Sequence, residues 1–148
     1  MAGDYTKLYV HCVWCTWDRL PLLTEEVENL VCAAIVAKCR ELGCRVIALN
    51  AVVDHVHLLV EMPPALSVSR LVAQVKGVSS HLVCRRADVK TPFRWSGTYA
   101  AFTVDSSSVE RIAEYIRRQK QHHAEKFLEM DWEPQEVMVP LDERQANP

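Results

Sequence analysis

The chain has 148 residues, 49% of them hydrophobic and 24% charged, with a formal net charge of −2, which is the composition of one domain with a real core and leaves no room for a second full domain. No apolar stretch reaches the roughly 18 residues of a membrane span. Met1-Ala2-Gly3-Asp4-Tyr5 lacks the basic start and apolar run of a secretory signal, so the expectation is a cytoplasmic protein with no membrane partner.

Residues 5–17 alternate, with Tyr9, His11, Val13 and Cys15 on one side and Leu8, Val10, Cys12 and Trp14 on the other, and their aromatic and β-branched content predicts a strand. Thr24 opens a helix with Glu25 and Glu26 in its first turn; Val27, Leu30, Val31, Ala34, Ile35 and Leu42 keep helical spacing until Gly43 closes it. Residues 45–53 and 55–62 read as two strands with barely a turn between them, the second ended by Pro63-Pro64. Ser67 caps a second helix with Leu71, Val75, Val78 and Leu82 as its buried stripe. A fourth strand covers about 98–104, and Ser107-Ser108-Val109-Glu110 reads as a capping box opening a long helix to about 128. The order β-α-β-β-α-β-α predicts an α+β fold, an antiparallel sheet covered by helices on the ferredoxin-like, split βαβ pattern. Residues 1–130 form the expected domain, and 131–148, with Pro134, Pro140 and Pro148, an acidic tail that is loosely ordered or docked on a partner.

The small net charge hides an uneven distribution. Residues 129–148 hold six acids against Arg144 alone, so residues 1–128 carry 16 bases against 13 acids. Between 70 and 94 the bases Arg70, Lys76, Arg85, Arg86, Lys90 and Arg94 face one acid, Asp88. Such a patch holds a few phosphates but does not coat a long duplex. The six cysteines lie mostly within apolar patterns, as buried thiols do in a reducing compartment, and no disulfide is expected.

Two constellations carry chemistry. In Asp54-His55-Val56-His57-Leu58-Leu59-Val60, residues two apart on a strand share a face. His55 and His57 therefore project together, while Val56, Leu58, Val60 and Met62 point into a core. A lone strand histidine is commonly a hydrogen-bonded core residue, but a same-face pair can chelate a metal. On the last helix Tyr115 and Gln119 are four apart and share a face beside Val109, Ile112 and Ile116. By themselves they read as a core edge. Two imidazoles and an amide over one sheet face would bind a divalent cation and leave open positions for water or phosphate oxygens; with no thiolate in the set, Mg²⁺ or Mn²⁺ suits it better than structural zinc. A zinc site from His11, Cys12 and Cys15 with His122 or His123 is disfavoured, because Cys12 and Cys15 have opposite strand parity. His122 and His123 also compete with Gln119 as third ligand, though Gln119 stands one turn beyond Tyr115 and keeps the ion next to it.

Taken in order, Asp54-His55-Val56-His57-Leu58-Leu59-Val60, Pro63-Pro64, Lys76-Gly77-x-Ser79-Ser80, Trp95 with Tyr99, Thr103-Val104 and Tyr115-Ile116-Arg117-Arg118-Gln119 resemble the single-tyrosine HUH transposases of the smallest bacterial and archaeal insertion sequences, relatives of relaxases and rolling-circle replication initiators. The opening Leu8–Thr16 and Arg19-Leu20-Pro21-Leu22-Leu23-Thr24 fit as well, so the similarity runs from about 5 to 125. The resemblance implies an HUH endonuclease fold, with His55, His57 and Gln119 holding the ion and Tyr115 as nucleophile on single-stranded DNA. It implies a 5′-phosphotyrosine intermediate, element ends recognised as hairpins, and a homodimer whose sheets join. In such a dimer the tyrosine helix, after a short linker such as Asp105-Ser106-Ser107, can serve either subunit's histidines. Arg70, Lys76, Ser79, Ser80, Arg85, Arg86 and Arg94 are the expected DNA-binding residues, with Trp95 or Tyr99 as a stacking surface. Two other readings of the same fold are a non-catalytic hairpin-binding protein and a relaxase-like nickase.

Overall fold

The computed structural model describes residues 3–86 and 92–120. The acidic tail, His122, His123, Asp88 and Lys90 lie outside the described residues. Within them the chain runs β1 (Tyr9–Cys15), α1 (Glu25–Glu41), β2 (Arg45–Val52), β3 (His55–Glu61), α2 (Val68–Cys84), β4 (Ala100–Val104) and α3 (Val109–Arg117), with short 3-10 turns at Trp17–Arg19 and Ser106–Ser108. No helix among the described residues is long and apolar enough to cross a membrane. The four strands form one antiparallel sheet in the order β2-β3-β1-β4. That order is the split βαβ arrangement expected from the sequence.

The period-2 pattern of β3 sorts its side chains onto two different layers. Val56, Leu58 and Val60 join Val10, Cys12, Trp14 and the inward stripes of α1 and α2 in the main core. The opposite face is also buried: Leu59 packs with Tyr9, Ala48, Ile112, Ala113, Tyr115 and Ile116 in a second core under α3. Because both faces are covered, His55 and His57 are 0% and 1% exposed. A register shift between Val46 and Ala48 lets β2 return to the β3 ladder with Asn50 opposite His57, as a bulge does when it re-aims the side chains beyond it.

Local signals account for most boundaries. The Thr24 hydroxyl accepts from the Val27 N–H and the Ser67 hydroxyl from the Arg70 N–H, so both predicted caps form. Gly43 follows the C-terminus of α1 at φ 83, a conformation that a side chain disfavours.

Three local expectations are corrected. The first strand is Tyr9–Cys15, shorter than residues 5–17, and Thr16 makes only an isolated bridge to Trp95. The buried stripe of α2 is Leu71, Val72, Val75, Ser79 and Val83, with Val78 and Leu82 only half-buried. A serine can occupy that stripe because its hydroxyl donates to the Val75 carbonyl at 2.6 Å and accepts from Trp95 Nε1 at 3.0 Å. The capping box at 107–110 does not form: Ser108 has φ −102 and ψ −9 and makes no side-chain cap. The chain enters α3 through the preceding 3-10 turn, in which the Ser108 N–H donates to the carbonyl of extended Asp105 and the Ser107 hydroxyl donates to the Asp105 carboxylate.

Candidate active site

The site lies on the sheet face under α3. His55 and His57 occupy alternate positions on β3, their ring centroids 5.1 Å apart and nearly perpendicular. His57 Nδ1 shares a 2.9 Å hydrogen bond with Nε2 of His11, which reaches it diagonally from β1, where His11 pairs with Leu59. His55 donates through Nδ1 to the Asp54 carboxylate at 2.8 Å. Both rings are thus anchored at Nδ1, the arrangement in which Nε2 serves as the ligand atom.

Helix α3 carries the other half. The Tyr115 ring meets the His57 ring edge-to-face at 5.9 Å and is 5% exposed. The α-helix ends at Arg117, and Arg118 leaves helical geometry with φ −96 and ψ 11, so the regular helix expected to run to about 128 is interrupted between Tyr115 and Gln119. Gln119 nevertheless remains fully buried, so the two still share an inward face. Asn50 explains why the interruption is tolerated. Its Nδ2 donates to the carbonyls of Ile116 and Arg117 at 3.0 and 3.1 Å, the groups that a helix end leaves without partners. Its Oδ1 accepts from Lys120 Nζ, which also pairs with Glu28 of α1 at 2.6 Å. Asn50→Ala is expected to reduce unfolding free energy by about 1–3 kcal/mol, measured by urea denaturation; an unchanged midpoint would mean that the helix end is held by other contacts.

A divalent cation fits this donor set. Among the described residues no three His, Cys, Asp or Glu side chains converge on a metal-sized site, and His122 and His123 lie outside them. Gln119 offers an amide instead: neither Oε1 nor Nε2 has a hydrogen-bond partner among the described residues, although the side chain is completely buried. A buried amide without partners is costly, and a cation accepting its oxygen would relieve half of that cost. The described residues disfavour the zinc alternative: Cys12 lies in the main core and Cys15 in a separate cluster, and burial pushes the Cys12 thiol up to about 12.

The expected DNA-binding residues separate by position. Arg70, Arg85, Arg86 and Arg94 are exposed. Lys76 and Ser80 line a groove of about 300 Å³ with Gly77, Arg94 and Trp95. Lys76 is half-buried there and donates to the carbonyls of Ser96 and Thr98, and burial holds its ammonium below the ordinary lysine value. Ser79 is in the interior, bonded to Trp95, and phosphates have no path to it. Trp95 is a core residue packed against Phe93 and Trp14, whereas Tyr99 is partly exposed. No local pattern marks His11 as a neighbour of the pair, or Asn50, Asp54 and Arg19 as its supports. His11 has the strand parity that faces α3, a signal that becomes useful once β1 is known to lie beside β3.

A split βαβ sheet with two histidines alternating on a central strand and a tyrosine helix packed against them defines the HUH class of single-tyrosine transposases. The chain belongs to the family described as "Transposase IS200 like", whose model matches residues 4–119. It is 28% identical over 126 residues to the ISDra2 transposase TnpA of Deinococcus radiodurans, covering 79% of this chain and 87% of that protein. It is likewise 28% identical over 114 residues to the transposase for insertion sequence element IS200 of Salmonella typhimurium, covering 74% of each. Among solved structures, a candidate transposase from Deinococcus radiodurans R1 superposes with a TM-score of 0.64 at 27% identity, covering 80% of this chain and 95% of that one. A REP-associated tyrosine transposase bound to a REP hairpin shares the fold, with a TM-score of 0.61 at 17% identity over 86% of this chain and 74% of that one.

Proposed function

We propose that this transposase-family chain cleaves and rejoins single-stranded DNA at hairpin-bearing element ends, with Tyr115 as the nucleophile and His55, His57 and Gln119 as ligands of Mg²⁺ or Mn²⁺. The observation that carries the proposal is the edge-to-face contact of Tyr115 with His57, which puts a phenol beside an imidazole pair in an otherwise apolar layer. The Tyr115 oxygen attacks phosphorus; a new O–P bond forms and the bond to the 3′ oxygen breaks. The phenolic proton leaves to water or a base, and the departing oxygen takes up a proton as a free 3′-hydroxyl. One DNA piece is left as a 5′-phosphotyrosine, which keeps the energy of the broken bond so that another 3′ end can reseal it without ATP. When bound, the cation supplies Lewis-acid polarisation of the scissile phosphate. A phenol titrates near 10, so the proton must be lost during the step.

Arg70, Arg85, Arg86 and Arg94 lie on exposed surface, and the Lys76–Ser80–Arg94 groove adds a concave cationic site, which supports phosphate contact beside the sheet. The REP-associated relative is described as bound to a hairpin, which supports the same class of substrate here. Strand β4 is an edge of the sheet, which suits a homodimer built by joining sheets. In this chain Tyr115 packs against its own His57, which supports a site completed within one subunit.

Incubation of the purified chain with Mn²⁺ or Mg²⁺ and a single-stranded oligonucleotide carrying the palindromes that flank its gene tests the reading. A covalent protein–DNA adduct on the 5′ side with release of a 3′-hydroxyl is expected. Hairpin binding without cleavage at any divalent-ion concentration would favour the non-catalytic binding protein instead. Nicking without strand joining would favour the relaxase-like enzyme.

A further inference from the structure

The turn after β1 has an uncommon backbone. Asp18 and Arg19 are consecutive residues at φ 54 and 52, and neither is glycine. Side chains disfavour this left-handed region, and aspartate tolerates it better than arginine does. Such conformations persist where surrounding contacts over-determine them, and they gather at functional sites. Here the contacts are numerous. The Thr16 N–H donates to the Asp54 carbonyl at 2.9 Å, Trp17 N–H to the Arg94 carbonyl at 2.8 Å and Leu23 N–H to the Val53 carbonyl at 2.9 Å. The Thr16 hydroxyl closes the turn on the Leu20 carbonyl at 2.6 Å. The segment from 16 to 23 is thereby fastened to the β2–β3 hairpin turn at Val53 and Asp54.

The geometry delivers one guanidinium to one carboxylate. Arg19 Nε donates to Asp54 Oδ2 at 3.2 Å, and Nη2 stands 3.1 Å from the same oxygen as an ion pair. The other oxygen, Oδ1, accepts from His55 Nδ1 at 2.8 Å. The carboxylate is largely shielded, with 19% of its side chain exposed, and the His55 ring is fully buried. With the Arg19 guanidinium against Oδ2, Oδ1 serves as acceptor, and the 2.8 Å contact places the proton of this bond on His55 Nδ1.

Resting on the metal-site reading above, we propose that Arg19 and Asp54 are positioning residues for the divalent-ion site. The strained turn holds Arg19 on Asp54, and Asp54 fixes the His55 tautomer and ring plane so that Nε2 is presented to the cation. Neither residue touches the ion or the DNA. A carboxylate behind a ligating imidazole increases its basicity and fixes its orientation, and loss of such a partner commonly weakens metal binding ten- to a hundredfold.

Two measurements on the full-length protein test this without recourse to cleavage. In the first, MnCl₂ is titrated into the protein alone and followed by calorimetry and Mn²⁺ electron paramagnetic resonance. Asp54→Asn is expected to weaken Mn²⁺ binding by about ten- to a hundredfold. Arg19→Lys should produce a smaller loss, because an ammonium keeps the charge but not the planar fork. Equal Mn²⁺ affinity of Asp54→Asn and the unchanged chain would overturn the proposal. His57→Ala is the control: if it binds Mn²⁺ as the unchanged chain does, the ion lies elsewhere and the metal-site reading itself falls, and this inference with it. The second measurement needs no variant and so does not depend on how well one folds. Long-range ¹H–¹⁵N correlation of the Mg²⁺-loaded protein should place the His55 proton on Nδ1. A proton on Nε2 would overturn the proposal, since a merely structural salt bridge does not dictate the tautomer.

Discussion

Tyr115→Phe is expected to abolish the covalent protein–DNA adduct while leaving hairpin affinity within about twofold. The substitution removes one oxygen from a ring that is 5% exposed and packed edge-to-face on His57, and the phenylalanine ring fills the same space, so volume and packing in the second core are retained. Phosphate contacts elsewhere supply DNA affinity and do not need the hydroxyl. No other tyrosine can take over: Tyr9 packs in the second core as well, but on β1, while Tyr5 is 85% exposed and Tyr99 lies before β4. Denaturing electrophoresis of the protein with end-labelled hairpin oligonucleotide reads the outcome directly. An adduct from Tyr115→Phe equal to that of the unchanged chain would remove Tyr115 as nucleophile.

His57→Ala is expected to reduce metal-dependent cleavage by at least about a thousandfold, since Lewis-acid stabilisation of the developing phosphate charge is worth several kcal/mol. Chelation of the ion from the unchanged protein should produce a loss of similar size. The comparison matters because His57 also bonds to His11 and packs edge-on against His55 and Tyr115. Truncation therefore also removes core packing, with an expected stability loss of about 2–4 kcal/mol. Thermal unfolding of the variant separates the two effects. If it stays folded at the assay temperature and still cleaves at the original rate with Mn²⁺, His57 is not a ligand.

The consequences of these substitutions reach beyond the ligand set because the site is built into a closed layer. Asn50, Lys120 and Glu28 fasten the end of α3 to β2 and α1, which sets where the chain turns between Tyr115 and Gln119. Arg19, Asp54 and His11 approach the histidine pair from behind. Each is a polar group inside or at the margin of an apolar environment, where an orphaned hydrogen bond is costly. Substitutions at these positions are therefore expected to change the alignment of the site as well as the stability of the fold.

Much of this architecture is legible along the chain. The alternation in Asp54–Val60 places the two histidines on one face because strand period is a local property of the backbone. Thr24, Gly43 and Ser67 announce their helix ends because capping involves atoms only three or four residues apart. The ordered set from the histidine pair to Tyr115 and Gln119 was sufficient to indicate the family. Ser79 shows where such reading fails: a serine between charged and small residues looks solvent-facing, yet its hydroxyl is satisfied by Val75 and by Trp95 sixteen positions away. The predicted capping box at 107–110 failed for a related reason, since the chain reaches α3 through a turn organised on Asp105.

Local periodicity and side-chain chemistry, both properties of near neighbours in the chain, thus settled the elements, their order, the same-face histidines and the shared face of Tyr115 and Gln119, while the nucleophile's role came from the family resemblance. Tertiary structure alone decided that α3 buries the second sheet face, that His11 stands behind His57, that Asn50 accommodates the break before Gln119, and that Arg19 reaches Asp54. Those relations depend on strand register and on backbone geometry across 35 to 67 positions of sequence, and no short-range pattern encodes a contact between residues so far apart.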